Sequence, residues 1–374
     1  MFTSLIEKLK LVKDPRKAKG KQYPLWVVLI LIIIAKLFEK NNYTDIAHFL
    51  EINQKDLIES LQLSVKRMPS LSTIRRVLMT VDMAELMLIA NEWMWLTYPG
   101  KNEDDWVSID GKKLRNTETD NKKSSQNAAM MVSMFSPTHK VTIHCEIMET
   151  KKTSELNVSQ DMVRNKPMVD KTFLGDAFYC NIKLIEIITG QNNHYLLAVK
   201  NNNPKLLANL KTYIKNNSHT SENITIEQGH GRWEKREARV FDVSNMSKKW
   251  RENLNTIIEL KRTIIRKDKV SETTHYYISS QIENAEVFNE KIRSHWEIEN
   301  QLHWVKDVIF NEDNSGINDF QAATNLSILT TIAMNLYRSW GFISITKGMR
   351  WLEKKMTNLF IIDDFFDDIS TNAA

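Results

Sequence analysis

The chain has 374 residues, 42% of them apolar and 26% charged, which is enough for two or three domains around sizeable cores. Cys145 and Cys180 are its only cysteines, which excludes a disulfide framework or a cysteine-built zinc site and suits a reducing cytoplasm. The net charge of +5 is mild and uneven: residues 1–21 hold seven Lys or Arg against Glu7 and Asp14, while the tail holds Asp363, Asp364, Asp367 and Asp368. Such a balance permits nucleic-acid binding without demonstrating it.

Residues 1–98 read as all-helical. Phe2 to Leu11 is amphipathic and Asp14-Pro15-Arg16 interrupts it. Eleven apolar residues follow, Leu25 to Ala35, too few to cross a bilayer, which needs about 20, and without a small-residue cleavage site. They predict a fully buried helix, with Pro24 near its first turn. Asn41 to Leu63 carries Ile46, Phe49, Leu50, Leu57 and Leu61 at helical spacing, and a further helix starts after Ser70 or Ser72. Arg75 and Arg76 near that start are placed either to meet phosphates, as in a helix-turn-helix, or simply to face solvent. The charged run at 101–105 marks the boundary between a helical N-terminal domain, 1–100, and a second domain, 101–374.

Past that boundary the pattern turns to strands at 106–110, 128–135 and 140–148, the last with clear alternation. Helices at 153–164, 181–190 and from Pro204 to about Asn216 then alternate with strands at 171–176 and 194–200. This order predicts an α/β mixed sheet flanked by helices. Strand-like runs at about 224–280 form a β-rich insertion. From Asn284 the chain reads as helical to about Phe360.

Three acids stand out. Asp110 ends a strand-like run and is followed at once by Gly111, and Gly175-Asp176 repeats that plan. An Asp at the end of a buried strand meets solvent where it can bind a hard cation, although each alone also suits a loop or a cap. Glu299 lies on a helical stretch with His295 four residues before it, His303 four after and Lys306 seven on, near one face of an α-helix. Two Asp and a Glu in the order strand, strand, helix can clamp two metal ions roughly 4 Å apart around a scissile phosphate.

With those residues the chain resembles the H-repeat-associated transposases of bacterial insertion sequences, over nearly its whole length. Asp14-Pro15-Arg16 with Tyr23-Pro24-Leu25 is similar to the family's N-terminal domain, and Ile109-Asp110-Gly111-Lys112 with Leu114-Arg115 to its first-acid motif. Gly175-Asp176-Ala177 and Tyr195 to Asn202 resemble the second-acid region. Gly229-His230-Gly231-Arg232 and Tyr276 to Ser280 fall in the insertion, and His295 to Trp304 with Asn311-Glu312-Asp313 resembles the third-acid region. Related transposases place Tyr, Arg, Glu and Lys around the third acid, where this chain has Ile292, His295, Glu299 and Lys306. Where arginines are expected after Asp313, the chain reads Asn314 to Asp319.

The resemblance implies an RNase H-like fold with catalytic, metal-binding Asp110, Asp176 and Glu299, and two Mg²⁺ ions replaceable by Mn²⁺. One ion between Asp110 and Asp176 would activate water, and the other, between Asp110 and Glu299, would stabilise the leaving 3′ oxygen; the freed 3′-hydroxyl then attacks target DNA. It implies double-stranded DNA as partner (terminal inverted repeats and target), a homodimer on DNA, cytoplasmic work at the nucleoid and no membrane. DNA contacts are expected from Lys112, Lys113, Arg115, Lys200, Arg232, His295, His303 and Lys306, with Trp233 either stacking on a base or half-buried. A nuclease of the same fold that cuts without joining, a transposase-derived DNA-binding protein that no longer cuts, and a helical membrane-associated protein built round residues 25–35 are the rival readings.

Overall fold

A computed structural model describes residues 1–18, 21–118, 128–150, 152–166, 168–229, 231–243, 253–267, 269–354 and 359. His230, the four tail aspartates and the last expected helical residues up to Phe360, Leu359 apart, lie outside the described residues.

Among the described residues six helices come first: α1 (Phe2–Leu9), α2 (Leu25–Leu37), α3 (Tyr43–Ile52), α4 (Gln54–Ser60), α5 (Leu71–Thr80) and α6 (Met83–Thr97). All of α2 but Trp26 is buried, as its unbroken apolar run predicts, and among the described residues no helix is long and apolar enough to cross a membrane. The expected single helix from Asn41 to Leu63 breaks at Asn53, whose side-chain amide donates to the Phe49 carbonyl at 2.8 Å; an Asn that bonds its own backbone offers an exit from the helix.

The N-terminal helices do not form a core of their own. Their apolar faces pack with α11 (Phe320–Ser339), α12 (Ile345–Glu353) and the apolar side of the Glu299 helix in one cluster. Buried amides stitch the parts together. Asn91 both donates to the Cys145 carbonyl at 2.8 Å and accepts from its N–H at 2.9 Å, and Asn325 donates to Leu78 and Val81 carbonyls at 2.9 Å each. Each bond meets a buried backbone group that would otherwise be orphaned.

The sheet is built from β1 (Asp105–Leu114), β2 (Ala129–Ser136), β3 (Val141–Glu149), β4 (Lys171–Gly175) and β5 (His194–Val199). β1, β2 and β3 form an antiparallel meander, and β4 and β5 then add parallel on the far side of β1. Crossover helices α7 (Glu155–Asn165) and α8 (Ile182–Gly190) cover one face. This is the RNase H-like arrangement, with an all-helical region before it. The insertion, after α9 (Pro204–Asn216), comprises β6 (Ser221–Gly229), β7 (Arg232–Asp242), β8 (Thr256–Arg266) and β9 (Lys269–Ser279). It does not fold apart: β9 pairs with β5, giving among the described residues nine strands in the order β3-β2-β1-β4-β5-β9-β8-β7-β6. Helix α10 (Ala285–Ser294) packs Phe288 and Ile292 on the opposite face, against Trp106, Leu174 and Leu196.

Candidate active site

The ladder between β1 and β4 pairs Asp105 with Lys171 and Ser108 with Leu174. Continuing that register two residues sets Asp110 level with Asp176, just past the last pair, where the parallel strands part. The expected strand 106–110 runs on to Leu114, so Asp110 and Lys112 share one face of β1. Asp176 leaves its strand and accepts from the Phe178 N–H at 2.7 Å, capping a short turn.

Glu299 arrives from the opposite side of the fold. From Trp296 the chain makes one α-turn and continues as wider π-turns over Glu299–His303 and Val305–Ile309. π-turns inside helices often mark functional sites. His303 is buried; its Nδ1 donates to Glu299 Oε2 at 3.1 Å and lies 3.7 Å from Asp110 Oδ2. Ligand atoms of Asp110, Glu299 and His303 all lie within 4.8 Å of one another. Asp176 is outside that group but close enough to act on Asp110 electrostatically.

The electrostatics set the acids apart. Burial raises the Asp110 carboxyl to about 6; His303 and the Gly111 amide oppose the shift, and the charges of Glu155 and Asp176 add to it. The His303 hydrogen bond instead holds Glu299 below its ordinary value. Burial lowers the His295 ring to about 4 despite Asp176, so it is neutral at pH 7, with Nδ1 3.2 Å from Ser108 Oγ. Two carboxylates and an imidazole in so compact a group, with the buried His303 Nε2 unpartnered among the described residues, make a donor set that fits a divalent cation.

The sequence pattern does not flag Glu155, the first residue of α7. It is half-buried, accepts from the Tyr179 hydroxyl, and lies against Gly111, where an added Cβ would come within 2.5 Å of its Oε1. Burial pushes its carboxyl up, and the Tyr179 hydrogen bond works against that. The one signal in the sequence is indirect: a glycine directly after the strand acid.

Three of the expected DNA contacts, buried His303 among them, need correction. Lys306 is 1% exposed, with Nζ 3.0 Å from Ser327 Oγ and 3.9 Å from Glu312 Oε1. A π-turn takes up one more residue than an α-turn, so the seven-residue step no longer returns to the Glu299 face and Lys306 turns inward. Lys112 is also buried, 2.5 Å from Asp307 Oδ1, 3.5 Å from Glu312 Oε2 and 3.6 Å from Asp313 Oδ1. Burial opposes its charge, but those three acids outweigh burial and hold its pKa above the ordinary value.

The remaining basic candidates are more open. Lys200 and Arg115 are exposed, Arg115 with Asp313 at 3.6 Å. Lys113 pairs with Glu118 at 2.7 Å and Arg232 with Glu234 at 3.1 Å, both partly exposed, and Trp233 is half-buried. Arg75 and Arg76 face solvent on α5. The segment from Asn314 to Asp319 is fastened by Asn116, whose side chain donates to Ser315 Oγ at 3.2 Å and to the Ile317 carbonyl at 2.9 Å.

An RNase H-like core thus carries Asp110 and Asp176 where its parallel strands part, with Glu299 brought beside Asp110. The model of the transposase DDE domain matches residues 101–336 and that of the DDE transposase-associated region residues 6–94; the chain belongs to the transposase DDE domain family. It is 30% identical over 344 residues to YbfL of Escherichia coli (strain K12), covering 89% of each chain. It is 29% identical over 344 residues, again covering 89% of each, to the H repeat-associated protein YhhI of the same strain. A piggyBac transposase synaptic complex with hairpin DNA aligns at a TM-score of 0.44 and 12% identity, over 94% of this chain and 75% of that one, too distant to carry an argument.

Proposed function

We propose that the chain is a DNA transposase that cuts the ends of an insertion sequence and joins them to target DNA, with Asp110, Asp176 and Glu299 as its catalytic carboxylates. The observation that carries this is the meeting of Asp110 and Glu299 around His303, from elements far apart in a chain of the transposase DDE domain family. Asp110 and Asp176 would hold one divalent ion and Asp110 and Glu299 a second, Mg²⁺ or Mn²⁺. Such ions supply an activated water and stabilise the charge that develops on the leaving 3′ oxygen.

The chain's own residues do the rest. His303 fixes the Glu299 carboxylate through its Nδ1 hydrogen bond, and neutral His295 steadies the helix against Ser108. Exposed Lys200 and Arg115, with Lys113 and Arg232 after modest rearrangement, neutralise phosphates and set the DNA in place. Two ends must be brought together, so we expect two copies of the chain on DNA, working in the cytoplasm at the nucleoid.

The test uses purified protein, DNA carrying the element's ends, and Mg²⁺ or Mn²⁺. Cut ends bearing 3′-hydroxyls and joined to a second DNA support the proposal. Cutting without joining supports a nuclease, and binding without cutting supports a transposase-derived DNA-binding protein. Activity undiminished by excess chelator rejects the metal-dependent chemistry.

A further inference from the structure

Glu155 is the first residue of α7 and the acid of its first turn, but it is not the cap. Ser154 provides the cap, accepting from the Asn157 N–H at 3.2 Å. The Glu155 side chain instead packs against β1, beside Gly111, and takes the hydroxyl of Tyr179, which is itself buried. Asp176, Asp110 and His303 lie near enough to act on its charge. Among the described residues no lysine or arginine stands within ion-pair distance of it. Placing a carboxylate in such surroundings is costly without a compensating partner.

Two features of the fold are shaped to keep it there. At Gly111 a Cβ would lie 2.5 Å from Glu155 Oε1 and 2.6 Å from its Cδ, so a larger residue would drive the carboxylate out. Tyr179, at the end of the turn that Asp176 caps, donates its hydroxyl to Glu155. A carboxylate that feels the charges of two aspartates is unfavourable alone and becomes favourable when a cation binds beside them.

We propose that Glu155 is a fourth working carboxylate of the site, a positioning residue that accepts hydrogen bonds from water bound to the cation at Asp110 and Asp176. Hard cations such as Mg²⁺ keep several of their waters, so an acceptor of this kind fixes where the attacking water points. Loss of such outer partners costs roughly 10- to 100-fold in metal affinity. This inference rests on the metal-dependent function proposed above.

The test is Mn²⁺ binding to the full chain without DNA, followed by the EPR signal of free Mn²⁺ and by water-proton relaxation. Wild type is compared with Glu155→Gln, Tyr179→Phe and Asp110→Asn, with thermal unfolding as control. Glu155→Gln is expected to weaken Mn²⁺ binding about tenfold or more and to change the relaxation of the bound waters, with Tyr179→Phe changing both in the same direction and less. Unchanged Mn²⁺ binding and relaxation in Glu155→Gln would overturn the proposal, even if that variant melted earlier. If Glu155→Gln does not fold, unchanged binding in Tyr179→Phe would overturn it. Should Asp110→Asn bind Mn²⁺ as wild type does, the underlying metal site fails. Should Asp110→Asn lose binding while Glu155→Gln keeps it, only the role of Glu155 fails.

Discussion

Lys112 and Asp307 meet at 2.5 Å, and that pair ties the strand carrying Asp110 to the far end of the helix carrying Glu299. Glu312 backs the pair, buried among Lys112 at 3.5 Å and Lys306 at 3.9 Å, with Lys36 of α2 also acting on its charge. Burial opposes the Glu312 charge, but the lysines outweigh burial and hold its carboxyl below the ordinary range. Burial likewise brings Lys36 down to about 7, with Glu312 resisting. Buried ions seldom add net stability; here they fix how three parts of the fold meet behind the site.

Removing the shared anion should therefore be severe. Glu312→Ala leaves buried Lys306 without its nearest anion and is expected to cost about 3–5 kcal/mol, read as the shift in a denaturant midpoint. A loss within 0.5 kcal/mol would show that the network is better solvated than its geometry indicates.

Lys306 offers a sharper contrast. If it touched a phosphate, Lys306→Met would lower the salt dependence of DNA binding by about one counterion. Its burial beside Ser327 and Met131 predicts no change in that slope and an altered melting temperature instead. Arg115→Ala and Lys200→Ala, at exposed positions, should reduce the slope and leave melting nearly unchanged. Binding titrations at several salt concentrations separate the two cases.

The Asp110 carboxyl sits at about 6 against an ordinary 3.8, so the fold holds that proton more tightly than the unfolded chain does. The metal-free protein should lose stability as pH rises from about 4 to 6 and stay lowered above that. A cation must displace the proton, so Mn²⁺ affinity should rise over the same window and level off above about 7. Asp110→Asn should flatten the stability profile, raise the neutral-pH melting temperature by roughly 2 °C or more, and abolish Mn²⁺ binding. Melting curves with and without Mn²⁺, taken from pH 4 to 8, check both signs.

Much of this was legible in the residues. The apolar run of α2 has too little polarity for a surface helix and is too short for a bilayer, which leaves burial. The strands of Asp110 and Asp176, the helices between them and the histidines beside Glu299 follow from periodicity and turn chemistry. Other features depend on the fold. Lys306 falls on the Glu299 face only if the helix keeps α-turns, and sequence spacing does not reveal a π-turn. Lys112 reads as a free cation until the strand is seen to run on past Asp110 and meet Asp307 and Glu312. Glu155 carries no motif of its own, because its place is set by a close approach to Gly111 across the sheet.

The most direct measurement uses a plasmid with a selectable marker between the element's two ends, scored for marker loss and reinsertion in cells making wild-type protein or Glu299→Ala. Wild type should excise and reinsert the marker, and Glu299→Ala should lose both by at least about 100-fold while still binding the ends, since such charge stabilisation is worth several kcal/mol. Excision by Glu299→Ala at the wild-type rate would contradict the assignment of the third carboxylate and, with it, the proposed chemistry.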